Sequence, residues 1–105
     1  MKDSHLNILF IADIVGKAGR DITARFLDSL LRKYNVDFCI ANGENAAEGR
    51  GITSRDFFEF KQMGIDVVTS GNHIWDQKEA HKLLAEQPTL LRPLNYPPDN
   101  PGFGS

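Results

Sequence analysis

A single cysteine stands among the 105 residues, so no disulfide can form within the chain, and a reducing cytoplasm suits it. That cysteine, Cys39, lies between Phe38 and Ile40 in a strand-like run, the setting of a buried structural thiol rather than of a nucleophile or ligand. Long apolar runs are missing too. None approaches the roughly 18–20 residues of a membrane span. Residues 1–5 are polar, and Asn7 and Asp13 interrupt residues 6–15, which reads as a buried strand rather than the apolar part of a leader. Charge of one sign is scarce: 12 Lys and Arg face 14 Asp and Glu, the net charge is −2, and the basic residues are scattered. That excludes the electrostatic footprint of a duplex-DNA or membrane-surface binder. Small nucleotides stay admissible, because a metal can offset their charge. Histidine is limited to His5, His73 and His81, and neither repeats nor low-complexity tracts occur.

What is present is an ordinary soluble balance, 41% hydrophobic and 25% charged, in a length that favours one domain. Residues 7–13 form a near-continuous apolar run ending in an acid. Residues 16–34 follow, with Ile22, Phe26, Leu27, Leu30, Leu31 and Tyr34 at helical spacing. Residues 36–41 read as a second strand. Thr53 opens a second helix, with Asp56 as its capping-box partner and Gly64 as its terminator. Residues 65–69 read as a third strand. Asp76 is expected to cap a third helix, with Glu79 at its third position, running to about Glu86; Leu90 and Leu91 could begin a fourth strand. This alternation predicts an α/β fold of right-handed βαβ units around a parallel sheet. Phe57, Phe58 and Phe60 are expected to cover a helix–sheet interface, and Trp75 to anchor a loop by packing.

Ligands of open α/β sheets bind at the carboxyl ends of the strands. The three loops there carry Asp13, then Glu44 and Asn45, then Asn72 and His73. Two carboxylates, amide oxygens and one imidazole make a mixed oxygen and nitrogen set suited to Mn, Fe or Zn rather than a thiolate site. Gly43 and Gly71 would let the backbone turn sharply beneath the ligands. Taken singly, each residue has a plainer reading: an acid can cap the next helix, and an Asn beside Gly is a common turn. Lys17 and Arg20 could contact phosphate at a helix start or be solvated charges. Neither a Gly-x-Gly-x-x-Gly fingerprint nor a P-loop occurs.

Phe10-Ile11-Ala12-Asp13-Ile14-Val15-Gly16, Ala41-Asn42-Gly43-Glu44-Asn45-Ala46-Ala47 and Thr69-Ser70-Gly71-Asn72-His73-Ile74-Trp75-Asp76 resemble the YmdB-type phosphodiesterases. These are a branch of the calcineurin-like metallophosphoesterase superfamily. Leu91-Arg92-Pro93-Leu94-Asn95-Tyr96-Pro97 is similar to that family's next segment, so the likeness runs from about Asn7 to Gly104. The resemblance implies that Asp13 binds a first metal, Glu44 bridges two metals, and Asn72 binds the second. It implies that Asn45 lies beside the site, orienting substrate or a ligand, and that His73 faces the scissile phosphate as general acid or transition-state stabiliser. The implied reaction is hydrolysis of 2′,3′-cyclic nucleotides or related phosphodiesters by a metal-bound hydroxide, with two divalent ions of Fe, Mn or Zn.

Two departures from the wider superfamily stand out. Val15 occupies the position of a usual histidine, and Glu44 that of a usual aspartate. The family's remaining ligands are histidines of a C-terminal half. His5 precedes the first strand and His81 lies within the third helix, so neither is expected to substitute. The expectation is therefore one incomplete metallophosphoesterase domain, with a core over residues 6–91, a Pro/Gly-rich tail over residues 92–105 and an incomplete second metal site. An uncovered apolar sheet face with Phe10, Ile40 and Val67 should then drive self-association or binding of a complementary C-terminal fragment. The competing expectation is a catalytically inactive fragment that binds metal weakly or self-associates.

Overall fold

The computed structural model describes residues 4–105, so the first three residues of the polar start lie outside it. Three parallel strands, β1 (Ile8–Ile11), β2 (Phe38–Asn42) and β3 (Val67–Thr69), form a sheet in the order β1-β2-β3. Helix α1 (Gly16–Lys33) joins the first pair and α2 (Ser54–Met63) the second; a 3-10 turn (Asn72–Asp76) and α3 (Glu79–Glu86) follow β3. The α/β reading of the sequence holds.

Right-handed crossovers between strands laid down in consecutive order put their helices on one side of the sheet. The burial pattern shows that side. Cys39, Ala41 and Val68 share one core with Leu27 of α1, Phe57 and Phe60 of α2, and Leu83 and Leu84 of α3. Alternate residues point the other way. Register sets Ile8 beside Phe38, and Phe10, Ile40 and Val67 in one row across the sheet. Ile8 is 58% exposed and Phe10 56%. Of the row expected to stay open, Phe10 is exposed, whereas Ile40 and Val67 are half-buried.

Helix α2 shows how local sequence fixes an element. Thr53 Oγ1 accepts from the Asp56 N–H at 3.1 Å, while the Asp56 carboxylate accepts from the Thr53 N–H at 3.3 Å. Gly64 then closes the helix at φ +110°, a left-handed value that favours glycine. Three readings need correction. Asp76 does not cap α3: it ends the 3-10 turn, and α3 begins at Glu79 after Lys78, which supplies no side-chain cap. The fully buried Ile74 winds this segment tightly just after Gly71. Phe58 is about half exposed, because a helix turns it some 100° away from Phe57, which shares a face with Phe60. Leu90 and Leu91 make only single parallel bridges, to Val68 and Phe103, before Pro93 removes a ladder donor.

Cys39 is buried, as its flanks suggested. Its N–H donates to Asp66 Oδ2 at 2.8 Å. Burial pushes the thiol pKa up, and the nearby Asp66 charge adds to the rise.

Candidate functional site

The three strand-end loops are held together by backbone bonds that extend the parallel pairing. The Ile14 N–H donates to the Asn42 carbonyl at 3.2 Å, and the Gly43 N–H to the Thr69 carbonyl at 3.0 Å. Asp13 turns out of β1 at φ +29°. A non-glycine residue rarely adopts that conformation, and Asp is among the few that tolerate it. The turn directs its carboxylate toward the second loop.

Side chains then connect the loops in series. Asn45 Nδ2 donates to both Asp13 oxygens, at 3.0 and 3.3 Å. Asn45 Oδ1 lies 2.5 Å from His73 Nδ1. The Asp13 carboxylate fixes the amide orientation, because an amide oxygen turned toward it would be repelled. Asn45 Oδ1 is therefore an acceptor, and His73 holds its hydrogen on Nδ1. Nε2 is the ring nitrogen left for a ligand, on a side chain 42% exposed. Glu44 closes the series: one oxygen accepts from the His73 N–H at 3.3 Å, the other from Asn42 Nδ2 at 3.4 Å.

The sequence-predicted residues thus converge, with one distinction. Asp13, Asn45, His73 and Glu44 are joined, whereas Asn72 stands exposed at the start of the 3-10 turn, and its side chain makes no hydrogen bond among the described residues. Gly71 has a specific reason to be glycine. A Cβ there would collide with both carboxylate oxygens of Glu44. Its φ is −143°, so close approach, and not backbone handedness, makes the demand. His5 and His81 make no hydrogen bond into this site; the His81 ring lies instead 5.3 Å from Trp75. Tyr96 stacks on Trp75 at 5.9 Å, which fits the reading of Trp75 as a packing anchor.

Three residues that sequence reasoning left out of the site surround it. Asn42 supports Glu44 and keeps its own Oδ1 buried with no partner. Glu48 covers the start of α1: it accepts from the Lys17 N–H at 3.0 Å and would meet a Cβ on Gly16 at 3.0 Å. The N-cap residue itself, Val15, has no capping oxygen. Arg20 donates to the Ala46 carbonyl and lies 3.4 Å from both Glu48 and Asp56. Lys17 Nζ pairs with Asp21 at 2.6 Å. The helix start is thus occupied by an internal carboxylate, and both cations are engaged within the chain. The forward signal for Asn42 was its place in the Asn-Gly-Glu-Asn run and that for Arg20 its place at a helix start, which suggested a phosphate contact or a solvated charge; Glu48 had none.

Among the described residues, no three of His, Cys, Asp and Glu gather closely enough to hold a metal ion by themselves. No described helix is long and apolar enough to cross a membrane.

Comparison with known proteins places the chain. It is 44% identical over 99 residues to a Bacillus subtilis (strain 168) protein named 2′,3′-cyclic-nucleotide 2′-phosphodiesterase, covering 94% of this chain and 38% of that relative. A crystal structure of a novel phosphatase from Mycoplasma pneumoniae superposes with TM-score 0.87 at 35% identity, covering 94% of this chain and 37% of that one. A hypothetical protein from Thermus thermophilus superposes with TM-score 0.84 at 43% identity, covering 92% and 37%. The chain therefore spans well under half the length of the relatives it matches. The YmdB-like protein family model matches residues 9–105, and the chain belongs to that family.

Proposed function

We propose that this chain supplies the N-terminal part of a metal-dependent phosphodiesterase site acting on 2′,3′-cyclic nucleotides or related small phosphodiesters. The observation that carries the reading is the continuous series Asp13–Asn45–His73–Glu44 at the carboxyl edge of the sheet. The phosphodiesterase and phosphatase names of its relatives support it.

The residues fit divalent ions in type. The donors are mostly oxygens with one imidazole, Gly71 gives Glu44 room, and the buried Asn42 Oδ1 beside Glu44 has no partner. Asp13 would hold a first ion, Glu44 would bridge two, and Asn72, with its unengaged side chain, would hold the second, with Asn45 adjoining. When bound, such ions lower the pKa of coordinated water and offset charge on phosphoryl oxygens. The chain's own contribution is positional. Asn45 holds the His73 ring by its Nδ1–H and leaves Nε2 to meet a phosphoryl or leaving-group oxygen. Fixed by two partners, Asn45 and the Glu44 carboxylate at its N–H, His73 need not reorganise when charge develops there.

The same reading assigns further imidazole ligands to segments beyond this chain, since His73 is the one histidine in the series and the relatives are more than twice as long. Alone, the 105 residues should bind Mn, Fe or Zn weakly. Hydrolysis of 2′,3′-cyclic AMP is the direct test, run on the chain alone and on the complete family protein with and without chelator. Chelator-sensitive turnover by the complete protein, lost in its Asp13→Asn and His73→Gln forms, is the expected result. Turnover indifferent to both substitutions would overturn the assignment, and two tightly held ions on the chain alone would overturn the expected weak binding.

A second reading rests on the open sheet face. Ile8, Phe10 and Phe38, all substantially exposed, invite a second layer, either a complementary C-terminal segment or another copy of the chain. Sedimentation at micromolar concentration decides it: a stable monomer with no bound partner would remove this reading.

A further inference from the structure

The loop from Gly43 to Thr53 carries Glu44 and Asn45 but contains no helix or strand, and Glu48, Gly49 and Gly51 all take positive φ. Its internal bonds are few: Ala46 to Gly43, Ala47 to Gly51, Gly49 to Asn45 and Arg50 to Ala47. Something outside the loop must hold it in place if Asn45 is to bridge Asp13 and His73.

Arg20, one turn into α1, meets that need. Its Nη1 donates to the Ala46 carbonyl, next in the chain to Asn45, and lies 3.4 Å from Glu48 Oε1. Its Nε lies 3.4 Å from the buried carboxylate of Asp56, which is itself locked into the α2 capping box. The Arg20 side chain is 19% exposed and that of Asp56 8%. Such a pair is shielded from the screening that makes surface ion pairs nearly worthless. A planar guanidinium serves the two directions from separate nitrogens held in a fixed fork, whereas an ammonium offers its three donors from a single atom. The neighbouring Gly16 N–H to Asn45 carbonyl bond, at 3.0 Å, ties the same helix start to the same loop residue.

We propose that Arg20 is a positioning residue: it clamps the start of α1, the Glu44–Asn45 loop and the cap of α2 into one unit, and so sets the Asn45 amide between Asp13 and His73. The assignment rests on the hydrolytic reading for its purpose but on hydrogen bonds for its existence. Moving the loop by about 1 Å would break the series without touching any of its members, and displacements of that size can cost about a hundredfold in rate.

NMR of the full chain, following the Asn45 side-chain amide, tests the clamp in Arg20→Lys and Arg20→Met. Arg55→Met serves as control, because it removes the exposed pair with Glu59. Arg20→Met should move the Asn45 amide resonances toward solvent-like values and weaken Mn binding by roughly tenfold, the cost of losing outer support. Arg20→Lys should give an intermediate response, and Arg55→Met none. A lowered melting temperature with the Asn45 resonances in place would make Arg20 merely structural and overturn the proposal. Should Arg20→Met fail to fold, Arg20→Lys and Asp56→Asn decide it: unchanged Asn45 signals in both overturn the clamp. Displaced Asn45 signals in a family protein that binds no metal and cleaves no phosphodiester would uphold the clamp and overturn the hydrolytic reading.

Discussion

The two helices that cross between strands face opposite circumstances. Helix α2 has ten residues and buries Asp56, Phe57 and Phe60; α1 has eighteen and buries only Gly16 and Leu27. The apolar residues of α1 are not absent. Ile22, Phe26, Leu30 and Tyr34 are exposed, and Ile22, Phe26 and Leu30 line a shallow groove of about 220 Å³ with Ile11 of β1. On the β3 side, Leu90 pairs with Val68 and its side chain is fully buried. Among the described residues the β3–α2–α3 side is a filled core, whereas the β1–α1 side leaves Ile8, Phe10, Ile22 and Phe26 exposed. Phe57 and Phe60 underlie the fold on the filled side, whereas the site spans both sides: Asp13 and Arg20 come from the more open one, and His73 from the filled one.

Alanine at Phe60 and Phe26 should break this comparison open. Phe60→Ala should destabilise by about 3–5 kcal/mol, the usual cost of emptying a filled aromatic site, and Phe26→Ala by about 1 kcal/mol or less. Urea titration of both reads the difference directly; equal losses would mean that α1 is packed in solution against something else.

Capping offers a smaller contrast. Thr53→Ala should cost about 1 kcal/mol through the lost cap of α2. Val15→Ala should leave the start of α1 unaffected, because Glu48 supplies that cap from 32 residues beyond Gly16. Thermal unfolding of the pair measures it.

A small change in stability is also expected at the open face. Phe10→Lys should shift unfolding by no more than about 0.5 kcal/mol, as exposed positions do, while lowering the sedimentation-average mass at micromolar concentration. A large loss of stability would show Phe10 to be covered within the chain.

What the sequence disclosed was what neighbouring residues decide among themselves. The Thr53–Asp56 box and Gly64 were legible because cap and partner lie within one turn. So was the position of Asp13, Glu44 and His73 at strand ends, since strand order alone sends them to one edge. Asp76 followed the same local logic and misled, because burial of Ile74 outweighed its capping preference. Arg20 resembled a solvated helix-start charge, and its partners lie 26 to 36 positions away. No pattern of spacing encodes such a meeting. The site's acids could be read from the chain, whereas the group that steadies them became visible only once the loops were folded together.

Trp75 is the one tryptophan in the molecule, and Tyr96 lies almost parallel to it, at an interplanar angle of 19°. The indole is held two residues beyond His73, while Tyr96 arrives from the proline-rich tail. Its ultraviolet emission is thus an intrinsic optical gauge, needing no label, of whether the tail is seated against the segment that bears the imidazole.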